Sequence, residues 1–371
     1  MNKLRWTILI IALSACVDPI NFDAQPPQQV IIVDGLITDQ PGPYIISITG
    51  AVALDVDTTV STPIRGVKIT LHSDEDESED VKETGPGIYK TSGLIRGKIG
   101  HSYYITFEMP DGSTFESVPE MIRTSGEVTD IRIQYEARTI KRATGNLPAD
   151  VFNVFADGAA VPGEDGSSHV RWRFTGTYAV LTYPEFHSIF SQVSRYLDPL
   201  PCSGYEVEPA LGGGKLVQKR PCTCCVCWCT QYEAKPQVTD TELVSDGQFR
   251  NVKVGEVPIT RATFHDKYRV TVEQMTVSRD AFDFFKIIKN QKDGVSNLFQ
   301  PPAGKLRGNV KQVNASYPII GLFWAASIHS RDLFIHREDV PYGVAPIDEI
   351  KQSCLGTYPN ATTTKPANWD E

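Results

Sequence analysis

The sequence predicts an all-β protein: a β-sandwich over residues 29–125, then a larger β-rich domain over residues 126–357 that carries one helix. Three observations predict it. Short runs rich in Val, Ile, Tyr, Phe and Thr recur at close spacing, each ended by Gly, Pro or Asp. After about residue 126 the pattern restarts with a longer run whose apolar residues share one parity. Residues 278–293 space their apolar side chains at helical intervals instead.

The chain opens with Lys3 and Arg5, followed by a mostly apolar run from Trp6 to Ala15 that ends in small residues. Charged start, short apolar middle and small-residue end are the parts of an export signal. The run is too short to span a bilayer, which takes roughly 20 residues. Leu13-Ser14-Ala15-Cys16 resembles a bacterial lipobox, which implies removal of residues 1–15 and an acyl anchor on Cys16. Residues 17–28 hold three prolines and few apolar side chains, the composition of a tether. Twelve residues reach at most about 40 Å.

The first strands follow. Val30-Ile31-Ile32-Val33 is an apolar run ended by Gly35, and Tyr44-Ile45-Ile46-Ser47-Ile48 follows Pro41-Gly42-Pro43. Val67-Lys68-Ile69-Thr70-Leu71 alternates in the manner of a half-buried strand. Pro110-Asp111-Gly112 separates Tyr104–Phe107 from Thr114–Val118 and signals a hairpin. Gly85-Pro86-Gly87-Ile88-Tyr89 through Gly100-His101-Ser102-Tyr103-Tyr104 is similar to small transthyretin-like and carboxypeptidase-regulatory sandwiches, so the first domain is expected to be immunoglobulin-like or transthyretin-like. Between strands, residues 73–80 carry six carboxylates in eight positions. Calcium takes such oxygen ligands, but the sharp-turn glycine of a calcium loop is missing, so a solvated loop is expected.

In the second domain Val170, Trp172, Phe174, Tyr178 and Val180 would bury one face of a long strand, and Tyr268, Val270 and Val272 repeat the pattern. Between them, residues 184–250 read as a long excursion braced by cysteines. Loops of that length are usually functional or separately braced. Cys222, Cys224, Cys225, Cys227 and Cys229 crowd into eight positions, with Cys202 upstream and Cys354 far downstream. An exported chain meets oxidising conditions, so disulfides are expected among these seven, with at least one thiol left over. In an extended cluster, Cys222 and Cys224 would face one side and Cys225, Cys227 and Cys229 the other. Zinc sites space Cys pairs by two to four residues and add a second half. That half is missing here, and no metal or cofactor is expected. The helix is predicted over 278–293, capped by Ser278, stapled by Val277 onto Phe282, striped by Ala281, Phe282, Phe285 and Ile288, and stopped by Gly294. Residues 358–371 read as a loose polar tail.

The full chain carries a net charge of −9, and loss of Lys3 and Arg5 with the leader takes it to −11. That balance argues against nucleic acid and anionic lipid as partners bound through a basic surface. Metalloprotease, nucleophile-elbow, serine–lysine and phosphate-loop motifs are missing. The seven histidines are scattered, although His265, Asp266 and His329 or His336 could meet in space. A non-enzymatic role is expected.

Arg171-Trp172-Arg173-Phe174-Thr175-Gly176-Thr177-Tyr178, Cys224–Trp228, Phe299-Gln300-Pro301-Pro302, Arg307-Gly308-Asn309-Val310 and Ile320–Ser327 occur in that order. Together they resemble the Bacteroidota lipoproteins grouped as domain-of-unknown-function family 4249. Members have no assigned activity, so no catalytic residue carries over. The resemblance implies an outer-membrane lipoprotein facing the cell exterior, with a TonB-dependent receptor as partner for ligand capture or as a lid. Asp18 and Asp23 resemble the acidic surface-export stretch of such lipoproteins. A structural or assembly lipoprotein binding other outer-membrane proteins is the alternative expectation. Aromatics of the excursion, Tyr183, Phe186, Phe190, Tyr196, Tyr205 and Tyr232, are the expected partner-binding residues. Trp228, flanked by two cysteines, is expected to pack within its own domain.

Overall fold

The computed structural model describes residues 30–53, 59–143, 145–163, 166–190, 195–210, 213–294, 306–315 and 318–370. The leader, Cys16, the tether and Phe299–Pro302 lie outside the described residues. The fold is all-β, and the longest helix among the described residues is Arg279–Gly294.

The N-terminal half is one eleven-stranded sheet folded over on itself. Ser78–Gly85 makes the fold. Its first half pairs with Lys68–Ser73, and its second half crosses over to Ile88–Lys90. Strict alternation then buries one face of each strand. Val33, Ile46 and Ile48 of one layer meet Ile69, Leu71, Ile105, Phe107 and Phe115 of the other in a single core. The Pro110-Asp111-Gly112 turn joins Ser102–Glu108 to Thr114–Ser117 as the sequence predicts.

Two strands of this sandwich come from the far end of the chain. Val310–Asn314 pairs with Thr114–Ser117, and Ile319–Ala326 pairs in parallel with Val30–Thr38. The reason lies in the eight unbroken apolar or small residues of Ile319–Ala326, a pattern suited to a strand covered on both faces. Phe323 and Ala325 enter the N-terminal core, while Leu322, Trp324 and Ala326 pack beneath the helix with Val277, Ala281 and Phe282. Phe285 meets Trp324 edge-on, ring centroids 5.0 Å apart. Ser278 caps the helix, its Oγ accepting from the Ala281 amide at 3.2 Å. The stripe is therefore core packing that wedges the two halves of the molecule together.

The second half is another sandwich. One sheet runs in the order Val128–Glu136, Val151–Ala159, Gln248–Pro258, Val244–Ser245. The other runs Ile328–His336, Lys267–Thr276, Val170–Leu181, Val226–Tyr232, Ala361–Thr362, with Gln237–Thr239 also paired to Val170–Leu181. Val170, Trp172 and Phe174 point into the core, and Phe174 and Tyr178 sit opposite Val272 and Tyr268.

Four expectations are corrected. The excursion is shorter than residues 184–250, because Val226–Tyr232 and Gln248–Pro258 are integral sheet strands; what stands off the sandwich among its described residues includes two small hairpins, Ser188–Phe190 with Arg195–Leu197 and Tyr205–Ala210 with Gly213–Gln218. The cysteine cluster is not extended throughout. Cys222 bonds Cys225 across a tight turn, so the strand starts only at Val226. The acidic segment is not simply solvated. Glu79 is 3% exposed. It accepts from the amides of Ser92, of Gly93 at 3.1 Å and of Ile95 at 2.8 Å. Burial raises the Glu79 carboxyl, but these donors outweigh it and hold the group below its usual range. The C-terminal segment is not loose: Ala361–Thr362 pairs with Trp228 and Cys229, and Trp369 is buried.

Candidate functional site

The two small hairpins are held by disulfides. Cys202 bonds Cys224 and Cys222 bonds Cys225, which anchors the loop at its return to the sheet. Cys227 bonds Cys354, tying the strand Val226–Tyr232 to the C-terminal segment. Cys229 keeps a free, buried thiol. On the next strand over, Tyr178 sits directly opposite Cys229.

The predicted aromatics separate into three places. Tyr183 is half-buried; its amide donates to the Ile350 carbonyl at 2.7 Å, and its ring meets Phe186 at 6.5 Å. Phe186 is exposed, and the first hairpin places Ile189 opposite Tyr196 beside it. Ile189 and Tyr196 are 51% and 56% exposed, and Leu197 is 43% exposed. Four large apolar side chains thus reach solvent on one small braced unit. The backbone of Phe190 belongs to the same hairpin, while its side chain lies outside the described residues. Tyr205 begins the second hairpin, half-buried. Tyr232 ends the strand Val226–Tyr232, whose other end leads from the disulfides. At about 3.3 Å per residue the strand carries Tyr232 roughly 20 Å from the hairpins, so the six residues do not form one surface. Trp228 is half-buried and pairs with Thr362 within the chain.

Tyr232 instead stands at the mouth of a cleft of about 740 Å³ in the second sandwich. One wall is the strand Gln248–Pro258, and the other is the segment 231–239 as it leaves the facing sheet. Phe174, Val238, Val252 and Val254 make the interior apolar. Four cationic residues line it, Lys235, Arg250, Lys253 and Lys289, against two acidic ones, Glu233 and Glu256. Both carboxylates are engaged. Arg171 pairs with Glu233, and Arg138 grips Glu256 through two bonds of 2.7 and 2.9 Å. Hydrogen bonds from Arg138 and Lys253 overcome burial and hold the Glu256 carboxyl down at about 2. Lys235 pairs with Asp293 of the helix, and Lys292 donates to the Ala234 carbonyl at 2.9 Å, which fixes the helix end to the cleft wall.

Lys289 was not singled out by motif, although a signal existed. It shares the face of the stripe's own members, at i+4 from Phe285 and i+7 from Phe282, where an apolar residue is the rule. Its stem is half-buried, and burial pulls its ammonium below the ordinary range. His265, His329 and His336 join no group of metal-holding side chains among the described residues. No helix among the described residues is long and apolar enough to cross a membrane.

Two β-sandwiches, joined where the helix packs on Ile319–Ala326, together with a disulfide-braced outlying unit, define the structural class. The chain matches the family profile described as Domain of unknown function (DUF4249) over residues 17–332 and belongs to that family. No curated protein matches it.

Proposed function

We propose that this chain is a lipid-anchored, non-enzymatic outer-membrane lipoprotein of the Bacteroidota type, facing the cell exterior and serving a TonB-dependent receptor as a capture or lid subunit. The lipobox-like Leu13–Cys16 and the tether behind it support the anchoring. The observation that carries the partnership is the braced hairpin unit with Phe186, Ile189, Tyr196 and Leu197 in solvent. Exposed apolar side chains on a disulfide-anchored unit, here with Ile189 and Tyr196 paired on one face, are what protein interfaces use. A membrane tether raises the effective concentration of any neighbour in the same membrane, so a contact of this modest size suffices. The experiment is affinity purification from native outer membranes with mass spectrometry of what co-purifies. A TonB-dependent receptor is expected with the native chain, at no less than tenfold lower yield with the double substitution Ile189→Asp and Tyr196→Asp. Cys16→Ser is expected to abolish membrane attachment. Absence of any such receptor from the native preparation rejects the partnership.

A further inference from the structure

We infer that the cleft between Gln248–Pro258 and residues 231–239 is a binding site for a small amphipathic anion: an apolar body seated on Phe174, Val238, Val252 and Val254, and a carboxylate or phosphate held by Lys289 with Arg250. The inference is independent of the receptor partnership.

Size is the first ground. About 740 Å³ falls within the range of small-molecule pockets, and such pockets combine apolar walls with a few polar groups that orient the ligand. Charge is the second. The chain as a whole is acidic at −9, yet cations outnumber carboxylates two to one around this cleft. The third is the bookkeeping of partners. Glu233, Glu256 and Lys235 are all ion-paired, so they are occupied in building the walls. Lys289 and Arg250 make no ion pair with any described residue. The carboxylate acting on Lys289, Asp293, is already held by Lys235; the one beside Arg250, Asp157, is gripped by Arg132. A half-buried ammonium that must share its acting carboxylate, Asp293, with Lys235 is under-neutralised and favours a further anion. Here the apolar cleft lies directly against it, so the ligand that satisfies the ammonium also fills the cleft. A purely hydrophilic anion leaves the walls dry, and a neutral apolar molecule leaves Lys289 unpaired in lower dielectric.

Isothermal titration of the purified full chain with 2-naphthoate, 2-naphthyl phosphate and the neutral 2-naphthalenemethanol tests this. At least one anion is expected to bind ten times or more tightly than the alcohol, and to weaken with added salt. Which anion is stronger separates a carboxylate ligand from a phosphate one. Lys289→Met, which keeps the apolar stem, is expected to erase the preference for the anion without weakening the alcohol's binding or lowering the thermal unfolding midpoint. Lys289→Arg is expected to retain it. Equal affinity for anion and alcohol, an unaffected Lys289→Met variant, or no binding of any probe overturns the inference.

Discussion

The side-chain amide of Asn309 clasps the backbone of Phe323: Nδ2 donates to its carbonyl oxygen at 2.6 Å, and Oδ1 accepts from its amide at 3.0 Å. Phe323 lies in the strand that pairs in parallel with Val30–Thr38. In such a ladder alternate residues turn their groups away from the neighbour, and Asn309 supplies what a further strand would. Gly308 allows the approach, since a Cβ there would fall 1.6 Å from the Gly321 carbonyl oxygen. Two of the segments that mark the family in sequence thus meet each other in space. Asn309→Ala leaves a buried amide and a buried carbonyl unpaired, each worth about 1–3 kcal/mol. The expected loss is about 2–4 kcal/mol in denaturant unfolding. A loss below half a kcal/mol would show that water replaces the side chain.

The thiol pattern gives a second prediction. Burial pushes the Cys229 thiol up to about 11. The thiolate is the reacting form, so Cys229 is expected to resist alkylation in the native protein and to label after denaturation without reductant. The other six described cysteines are expected to stay unlabelled. Replacing Cys227 and Cys354 together by Ala opens a link spanning 127 residues and is expected to cost about 2–4 kcal/mol. Native labelling of Cys229 contradicts its burial, and labelling of Cys202 or Cys224 contradicts the pairing.

What the sequence shows and hides follows from the range of each interaction. The parity of Val170, Trp172 and Phe174 is local, and it marked the buried face correctly. The helix was equally local, from the Ser278 cap to Gly294. The neighbour of Ile319–Ala326 lies almost the whole chain away at Val30–Thr38, and eight apolar residues reveal burial but not against what. Cysteine pairing was not legible because seven candidates, five of them within eight positions, allow many connectivities. The aromatic list failed as a surface because a strand separates Tyr232 from Phe186, and distance along a chain says nothing of which end a strand presents.

Glu120 gives a pH dependence. It is 4% exposed beside the start of the helix, with one oxygen unpartnered and the other receiving Asn309 Nδ2 at 3.3 Å. Burial raises its carboxyl above the ordinary 4.5, against the pull of Ser278, Arg123 and Asn309, with Asp280 adding to the rise. A folded-state value above the unfolded one means that its contribution is full below about 4.5 and is lost as pH rises through the folded value. Glu120→Gln removes that loss. Its thermal midpoint is expected to match the native chain near pH 4.5 and to exceed it at pH 8. The reverse order, with the variant less stable at pH 8, would mean that the ionised carboxylate is the favoured form.

The C-terminal segment offers the last test. Trp369 is 5% exposed and stands edge-on to Phe334 at 6.1 Å, with the Lys267 ammonium 5.6 Å from its ring. Arg269 Nη1 donates to the Ala367 carbonyl at 2.8 Å and clamps the approach to it. The segment therefore closes the outer face of the sheet formed by Lys267–Thr276 and Ile328–His336. It does so beyond residue 332, where the family match ends. Its polar composition hid this, because a single large ring among Thr, Asn and Lys carries most of the burial. Large-to-small changes at buried aromatic positions cost about 3–5 kcal/mol in well-packed cores. A surface-docked ring with one side near solvent belongs at or below the lower end, so Trp369→Ala is expected to cost about 2–3 kcal/mol. Trp369→Phe should recover part of it, since a smaller ring still meets Phe334 and Lys267. Unchanged thermal unfolding in Trp369→Ala would return the segment to the loose tail that its composition predicts.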